Sequence, residues 1–232
     1  MKKQLFILFS LIGIYLSATG QDFIEPINFF SKKEPCYLIN TQGERIDFIL
    51  SDYKTKKGLI IAVEGKKLNT EENFRLDAAN IKILALVPST LGKMNAIMEK
   101  ATTITKWDKT DSIDRKFVFF EQHTVEELKD ITALLQILNY GFHKKITIYY
   151  DPFAPKESSS IGGMGFNVTL DSQLRRYYAK IDGKVSRLKK REYDDEFTKI
   201  FSSCPSLLEK FAKNKDWSSL PKHIYFFEYE CK

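Results

Sequence analysis

Residues 144–191 decide the fold and read KKITIYYDPFAPKESSSIGGMGFNVTLDSQLRRYYAKIDGKVSRLKKR. The stretch starts with a strand-like run at 146–151 and ends with two more, at 174–181 and 184–191. Asp182-Gly183 separates the last two runs, and an Asp-Gly pair between such runs is a strong signal for a two-residue β-hairpin turn. The stretch links a β-patterned front half to a helical tail, and it contains the most concentrated positive charge in the chain.

The two strands of this hairpin have one apolar face and one basic face. Side chains alternate between faces along each strand, which puts Tyr177, Ala179, Ile181 and Leu188 on the face that suits the core. A two-residue turn pairs Ile181 with Lys184 and places Arg176 directly opposite Lys189, and like charges in such a pair destabilise a sheet. The basic face is therefore either solvated, the simpler alternative for a charge run, or meets an anion. Under the second alternative the ligand is a polyanion such as an acidic glycan or a lipid headgroup, bound by Arg176, Tyr178, Lys180, Arg187 and Lys189.

The front half has the pattern of a small, strongly bent β-structure. Apolar residues alternate around Thr41-Gln42-Gly43, which predicts a hairpin, and Pro88-Ser89 ends the unit by starting a helix. Five short strands with tight turns favour small bent sheets or a half-open barrel. The predicted strands are 36–40, 44–51, 58–64, 73–76 and 81–87.

The middle of the chain is ambiguous. Thr124 begins a possible helix capping box, but residues 132–138 also have the composition of a strand. We favour a short helix or turn from Thr124, followed by a strand that turns at 139–141 into the run at 146–151. A further strand is predicted at 115–122, and the Pro-, Ser- and Gly-rich residues 151–165 are predicted to form a long flexible loop.

The apolar spacing changes from 2 to 3.6 after Tyr193, which predicts three helices in the tail. The predicted organisation is therefore a β-rich body at 21–192 with a helical tail at 193–232 packed on it. The fold class is α+β: a mostly antiparallel β body, built of small bent sheets or a half-open barrel, with a three-helix C-terminal tail.

The first twenty residues have the features of an export signal. Lys2 and Lys3 precede an apolar run at 5–16, too short to span a bilayer, and Ala18-Thr19-Gly20 supplies small residues for cleavage. We therefore assign 1–20 as a signal peptide and expect a periplasmic or secreted protein. No second apolar stretch is long enough to cross a membrane. Of the formal net charge of +6, the two leader lysines supply 2, and the remaining +4 is too small to indicate a nucleic-acid partner.

Several short motifs occur in an order that resembles a group of exported, uncharacterised proteins of Bacteroidota-type bacteria, for which no activity is established. The resemblance implies export and supports the strand alternative at 132–138; it implies no site residues. It depends on Lys56-Lys57-Gly58-Leu59-Ile60, Asn80-Ile81-Lys82, Pro88-Ser89, Leu134-Leu135-Gln136-Ile137-Leu138-Asn139 with Gly141-Phe142, Tyr149-Tyr150-Asp151-Pro152, and Phe201-x-x-Cys204-Pro205.

No motif of a known chemistry is present. His123, His143 and His223 are scattered, whereas a zinc site needs clustered ligands, and there is no nucleophile elbow. We therefore expect no catalytic residues, metal or cofactor, and predict an exported, non-catalytic binding or structural protein of the cell envelope. The alternative is a hydrolase with a divergent site near the 151–165 loop.

The three cysteines are odd in number, so one thiol is left over in an exported chain. Cys204 and Cys231 both lie in the tail and form the candidate disulfide, with two buried free thiols as the alternative. A bond between them would close a loop of about 27 residues and contribute roughly 3–4 kcal/mol in the chain-entropy model. Cys36 is the expected leftover thiol, or an alternative partner.

Export makes one direct prediction. The mature chain should begin at or near Gln21, because a signal peptidase cleaves after small residues at positions −3 and −1. N-terminal sequencing of natively produced protein checks this. An intact Met1 in cytosolic protein would contradict it.

Overall fold

A computed structural model describes residues 22–101, 116–125, 131–154, 160–163, 166–169 and 176–231. Its architecture is α+β, with a mostly antiparallel β body and a helical C-terminal tail, which confirms the predicted fold class. The predicted leader at 1–20 and the polar segment 102–114 lie outside the described residues. Among the residues that are described, no helix is long and apolar enough to cross a membrane.

The strands and helices follow one another in a simple order. The strands are β1 Pro35–Asn40, β2 Arg45–Lys56, β3 Leu59–Lys67, β4 Asn73–Asp77, β5 Ile81–Leu86, β6 Val118–Val125, β7 Ile131–Gln136, β8 Ile146–Tyr149, β9 Ser160–Gly163, β10 Phe166–Thr169, β11 Arg176–Ile181 and β12 Lys184–Lys189. The helices are α1 Thr90–Ala101, α2 Tyr193–Ile200, α3 Pro205–Lys210 and α4 Leu220–Tyr229.

Six of the strands close into a barrel. They are ordered β2-β1-β5-β6-β7-β3, antiparallel pairing of β2 with β3 completes the ring, and β4 is added beside β3. The interior is filled by apolar side chains such as Leu38, Phe48 and Leu84, each with no exposed surface. Gly65 of β3 gives Phe48 its room, because a Cβ there would lie 2.5 Å from the Phe48 ring. The predicted half-open barrel is therefore a closed one with a packed interior.

A second sheet has the order β12-β11-β8 and contains the predicted hairpin. Asp182 and Gly183 have φ angles of 50° and 77°, as a type I′ turn requires. The turn pairs Ile181 with Lys184 and Arg176 with Lys189, which confirms the predicted register.

This three-stranded sheet is the middle of three layers. Its first face, with Tyr177, Ala179 and Leu188, packs on the helical tail, as predicted for the core face. Tyr149 and Tyr178 on its second face join a separate apolar cluster with residues of β6 and β7. The sheet is therefore covered on both sides, by the helices and by the outside of the barrel.

The middle of the chain resolves in favour of the strand alternative. Residues 131–136 form β7, which pairs with β6 on one side and β3 on the other. The helix or turn expected from Thr124 does not begin there, because Thr124 and Val125 still pair with β7 as the end of β6. The rest of that prediction falls at 126–130, outside the described residues. The segment 151–165 is not loop throughout, since Ser160–Gly163 pairs with Phe166–Thr169 as a separate two-stranded sheet. Strands are predicted from alternating apolar and polar side chains, and the run Ser160–Gly163 contains too few side chains to show that alternation.

The tail is built around a buried histidine and one disulfide. The disulfide joins Cys204 to Cys231, while Cys36 is a buried free thiol inside the barrel. His223 has no exposed surface. Its Nε2–H donates to the carbonyl oxygen of Asn214 at 2.9 Å, and its Nδ1 accepts from the Tyr193 hydroxyl at 2.7 Å. Both ring nitrogens are thus satisfied in the neutral form.

This environment makes the stability of the tail depend on pH. Burial lowers the pKa of His223 from 6.5 to about 4. The unfolded chain therefore takes up this proton at a higher pH than the folded one. The contribution of His223 to the free energy of unfolding is therefore fully present above pH 6.5 and decreases as the pH is lowered toward 4. We expect a smaller decrease over this interval for His223→Gln, measured by urea unfolding at a series of pH values. The same carboxylates titrate in both proteins, so parallel stability curves would contradict the assignment.

Candidate functional site

The five residues predicted to bind a polyanion lie on the face of β11 and β12 that is turned toward the barrel. Tyr178 is only 5% exposed and belongs to the apolar cluster between sheet and barrel. The charged side chains of the face are 22% exposed at Arg187 and 36% exposed at Lys189. This face is not the freely solvated surface that the simpler alternative predicts.

Asp151 receives two of the four cations. It lies two residues after the end of β8, and its side chain has no exposed surface. Arg176 Nε lies 2.6 Å from Oδ2 of Asp151, and Arg187 Nε lies 3.5 Å from the same oxygen. The other carboxylate oxygen accepts the backbone N–H of Phe153 at 2.8 Å. A fully buried carboxylate is tolerated where it is paired and hydrogen-bonded in this way.

Glu121 of β6 receives the third cation, with Lys180 Nζ at 2.6 Å. The Tyr149 hydroxyl donates to the other oxygen of Glu121. Because that donation uses the only phenol hydrogen, His123 Nε2–H donates to the Tyr149 oxygen, at 2.9 Å. The fourth cation, Lys189, lies 3.1 Å from Glu192. All four positive groups therefore meet carboxylates of the protein itself.

Glu121 and Tyr149 are poorly suited to acid–base catalysis at neutral pH. Burial opposes the ionisation of Glu121, but the adjacent His123 ring and the hydrogen bonds from Lys180 and Tyr149 outweigh it and lower the pKa of Glu121 to about 2. Burial and the adjacent Glu121 raise the pKa of Tyr149 well above its ordinary value. A general acid or base works best with a pKa near the operating pH. Both shifts move Glu121 and Tyr149 away from neutral pH, and their hydrogen bond joins the barrel to the second sheet.

A different place, the mouth of the barrel beside the β2–β3 turn, contains a cavity of about 250 Å³. Tyr53 of β2 and Gly58 of this turn line it, together with Phe120 of β6 and Leu134 of β7. Residues 22–30 run across the mouth as an extended arm, from which Ile27, Asn28 and Phe30 complete the wall. The lining is mostly apolar and aromatic, as ligand pockets usually are.

Gln136 supplies the polar group of this pocket. It is the last residue of β7 and is 3% exposed. Its Oε1 accepts the backbone N–H of Ile27 at 3.1 Å, which ties the arm to the barrel. Its Nε2 is fully buried and has no hydrogen-bond partner among the described residues. A buried donor without a partner is uncommon in native proteins and requires an explanation.

Sequence reasoning missed Gln136, Asp151 and Glu121. Gln136 had a visible signal, because it is a polar residue inside the apolar run at 133–138. The two carboxylates had none, since Asp151 is 25 residues from Arg176, and Glu121 is 59 residues from Lys180. Only the packing of the second sheet on the barrel brings them together.

No group of three or more His, Cys, Asp or Glu residues able to hold a metal ion occurs in the part of the chain that the structure describes. Comparison of the chain with protein-family models, with curated proteins and with solved structures finds no match.

The buried ion pairs predict a large effect of a small substitution. Asp151→Asn keeps an acceptor for Phe153 but leaves Arg176 and Arg187 without a counter-charge, and breaking a buried pair costs about 3 kcal/mol or more. Denaturant unfolding at neutral pH measures the loss.

The matched control is Glu71→Gln, which removes the partner of Lys66 at a side chain that is 80% exposed. An exposed pair contributes little, so this variant should unfold nearly like the wild type. Equal losses in the two variants would show that Asp151 is not the structural anchor that its burial indicates.

Proposed function

We propose that this protein is an exported, non-catalytic binding protein of the cell envelope that holds a small, mostly apolar molecule at the mouth of its barrel. The unpaired amide nitrogen of Gln136 is the main support for this function. Leaving such a donor buried costs about 1–3 kcal/mol, and a ligand that accepts from it would recover that loss.

The position of the pocket also favours binding. A barrel of six strands has no room for a ligand inside, because its side chains already fill the interior, but its mouth offers a concave surface. The arm over the mouth is held by hydrogen bonds from Ile27 to Gln136 and from the Tyr53 hydroxyl to the Asn28 carbonyl. The walls are therefore in place before a ligand arrives, which lowers the entropy cost of binding.

Two features support export. The first is the charged, apolar and small-residue order of residues 1–20. The second is the Cys204–Cys231 disulfide, since such bonds persist in oxidising compartments. Together they favour a periplasmic or secreted location.

The hydrolase alternative would use the 151–165 segment, of which residues 155–159 and 164–165 lie outside the described part. Asp151, the carboxylate at its start, already contacts Arg176, Arg187 and the Phe153 N–H. A polyanion on the basic hairpin face would likewise compete with Asp151, Glu121 and Glu192 for cations that they already hold. For these reasons we place the ligand at the barrel mouth.

Binding at the mouth can be tested with neutral six-membered rings. We expect cyclohexanone and methylenecyclohexane at millimolar concentration each to shift the NMR signals of residues 53–60 in a saturable way. Thr55→Trp places an indole at the rim of the pocket and should abolish the shifts.

Thr198→Trp is the control, because it puts the same side chain on an exposed position of α2 in the helical tail. Its binding should equal that of the wild type. A ligand site at the mouth would be refuted if neither ring bound in a saturable way, or if the two Trp variants bound the rings equally well.

A further inference from the structure

We infer that the ligand of the barrel mouth is an uncharged molecule with one hydrogen-bond acceptor, such as a ketone, ether or amide carbonyl, on a compact apolar body. This inference rests on the proposed function and specifies the chemistry of the same pocket. Three features of the lining lead to it: the orientation of one amide, the absence of charge and the size of the cavity.

The amide of Gln136 can be oriented in only one way. The backbone N–H of Ile27 lies 3.1 Å from the side chain and needs an acceptor, so the oxygen must face Ile27 and the nitrogen must face away. Gln136 Nε2 is therefore a donor without a partner among the described residues, and Gln136, which is 3% exposed, is one of the residues that line the pocket. The Tyr53 hydroxyl has already donated its hydrogen to Asn28. A ligand atom that meets Gln136 Nε2 must accept a hydrogen bond.

The described lining contains no charged side chain. A carboxylate bound against Phe30, Phe120 and Leu134 would lose its hydration without gaining a counter-ion, which is strongly unfavourable. An ammonium group would bring donors to a donor. A neutral acceptor avoids both costs, so the pocket should discriminate by charge as well as by polarity.

The cavity is also small. Its volume of about 250 Å³ is below the range that holds drug-sized ligands, so it suits a single ring or a short branched chain. The rings of Tyr53 and Phe120 offer flat surfaces for such a body. Gln136 then has two roles, with its oxygen holding the arm in place as one wall and its nitrogen orienting the ligand.

Three rings of similar size separate the possibilities: cyclohexanone, methylenecyclohexane, which has no acceptor, and cyclohexanecarboxylate, which is anionic at neutral pH. In the wild type we expect saturating cyclohexanone to move the Gln136 side-chain amide protons downfield, as a new hydrogen bond requires, and methylenecyclohexane not to do so. Cyclohexanecarboxylate should bind at least about tenfold more weakly than the ketone.

The variant Gln136→Met keeps the length of the side chain and removes the donor. The ratio of ketone affinity to alkene affinity should fall about tenfold in this variant, because one hydrogen bond to a buried donor is lost. Thr198→Val, at an exposed position of α2 in the helical tail, is the control and should keep the wild-type ratio. Using the ratio cancels any change in hydrophobicity that affects both rings.

The outcomes distinguish the two proposals. If neither neutral ring binds, the proposed function itself fails. If both bind but the ratio is unchanged in Gln136→Met, the mouth is a ligand site and the acceptor inference is wrong. Tight binding of the carboxylate would overturn the assignment of a neutral ligand. Gln136→Met removes the acceptor of the Ile27 N–H and could therefore fail to fold. In that case the wild-type amide protons still test the acceptor inference: a downfield shift with cyclohexanone supports it, and no shift contradicts it.

Discussion

Burial of positive charge between the barrel and the second sheet is the constraint on which the rest of the structure depends. One whole face of the β11–β12 hairpin is basic, and the core of the molecule requires that face to lie against the barrel. Asp151 and Glu121 make this possible because they place carboxylates within 2.6 Å of Arg176 and Lys180. Without these carboxylates, each buried cation would lose hydration and gain no ion pair to offset the cost. The two apolar cores on either side of the sheet can form only because this charge is neutralised between them.

The contact between the barrel and the second sheet also determines where the proposed ligand site lies. Strand β7 ends at Gln136, and the chain then passes through Asn139 before returning as β8. Asn139 is 1% exposed; its amide nitrogen donates to the carbonyl oxygens of Phe142 and Ile146, and its oxygen accepts from the Ile148 N–H. This turn is therefore rigid, and it positions Gln136 at the edge shared by the barrel and the second sheet. The arm 22–30 crosses that edge, with Ile24 in the core of the second sheet and Phe30 in that of the barrel.

The polar network and the pocket differ in character, and this difference is why we propose a binding function. The ion pairs of Asp151 and Glu121 lie between the barrel and the second sheet, where they contribute to the stability of the fold. The pocket at the barrel mouth has the opposite character, since its walls are apolar and its one buried donor has no partner among the described residues.

The sequence by itself determined the local features of this protein. The Asp182-Gly183 turn, the register of its strands and the three tail helices follow from residue types and short-range periodicity, because those properties depend on neighbours along the chain. Tertiary structure alone decided the rest. Alternation showed that Arg176, Lys180, Arg187 and Lys189 share a face, but what covers that face depends on strands from distant parts of the chain. For the same reason, Gln136 could be seen as a polar residue in an apolar strand, whereas closure of the barrel and the path of the arm determined that its oxygen is paired and its nitrogen is not.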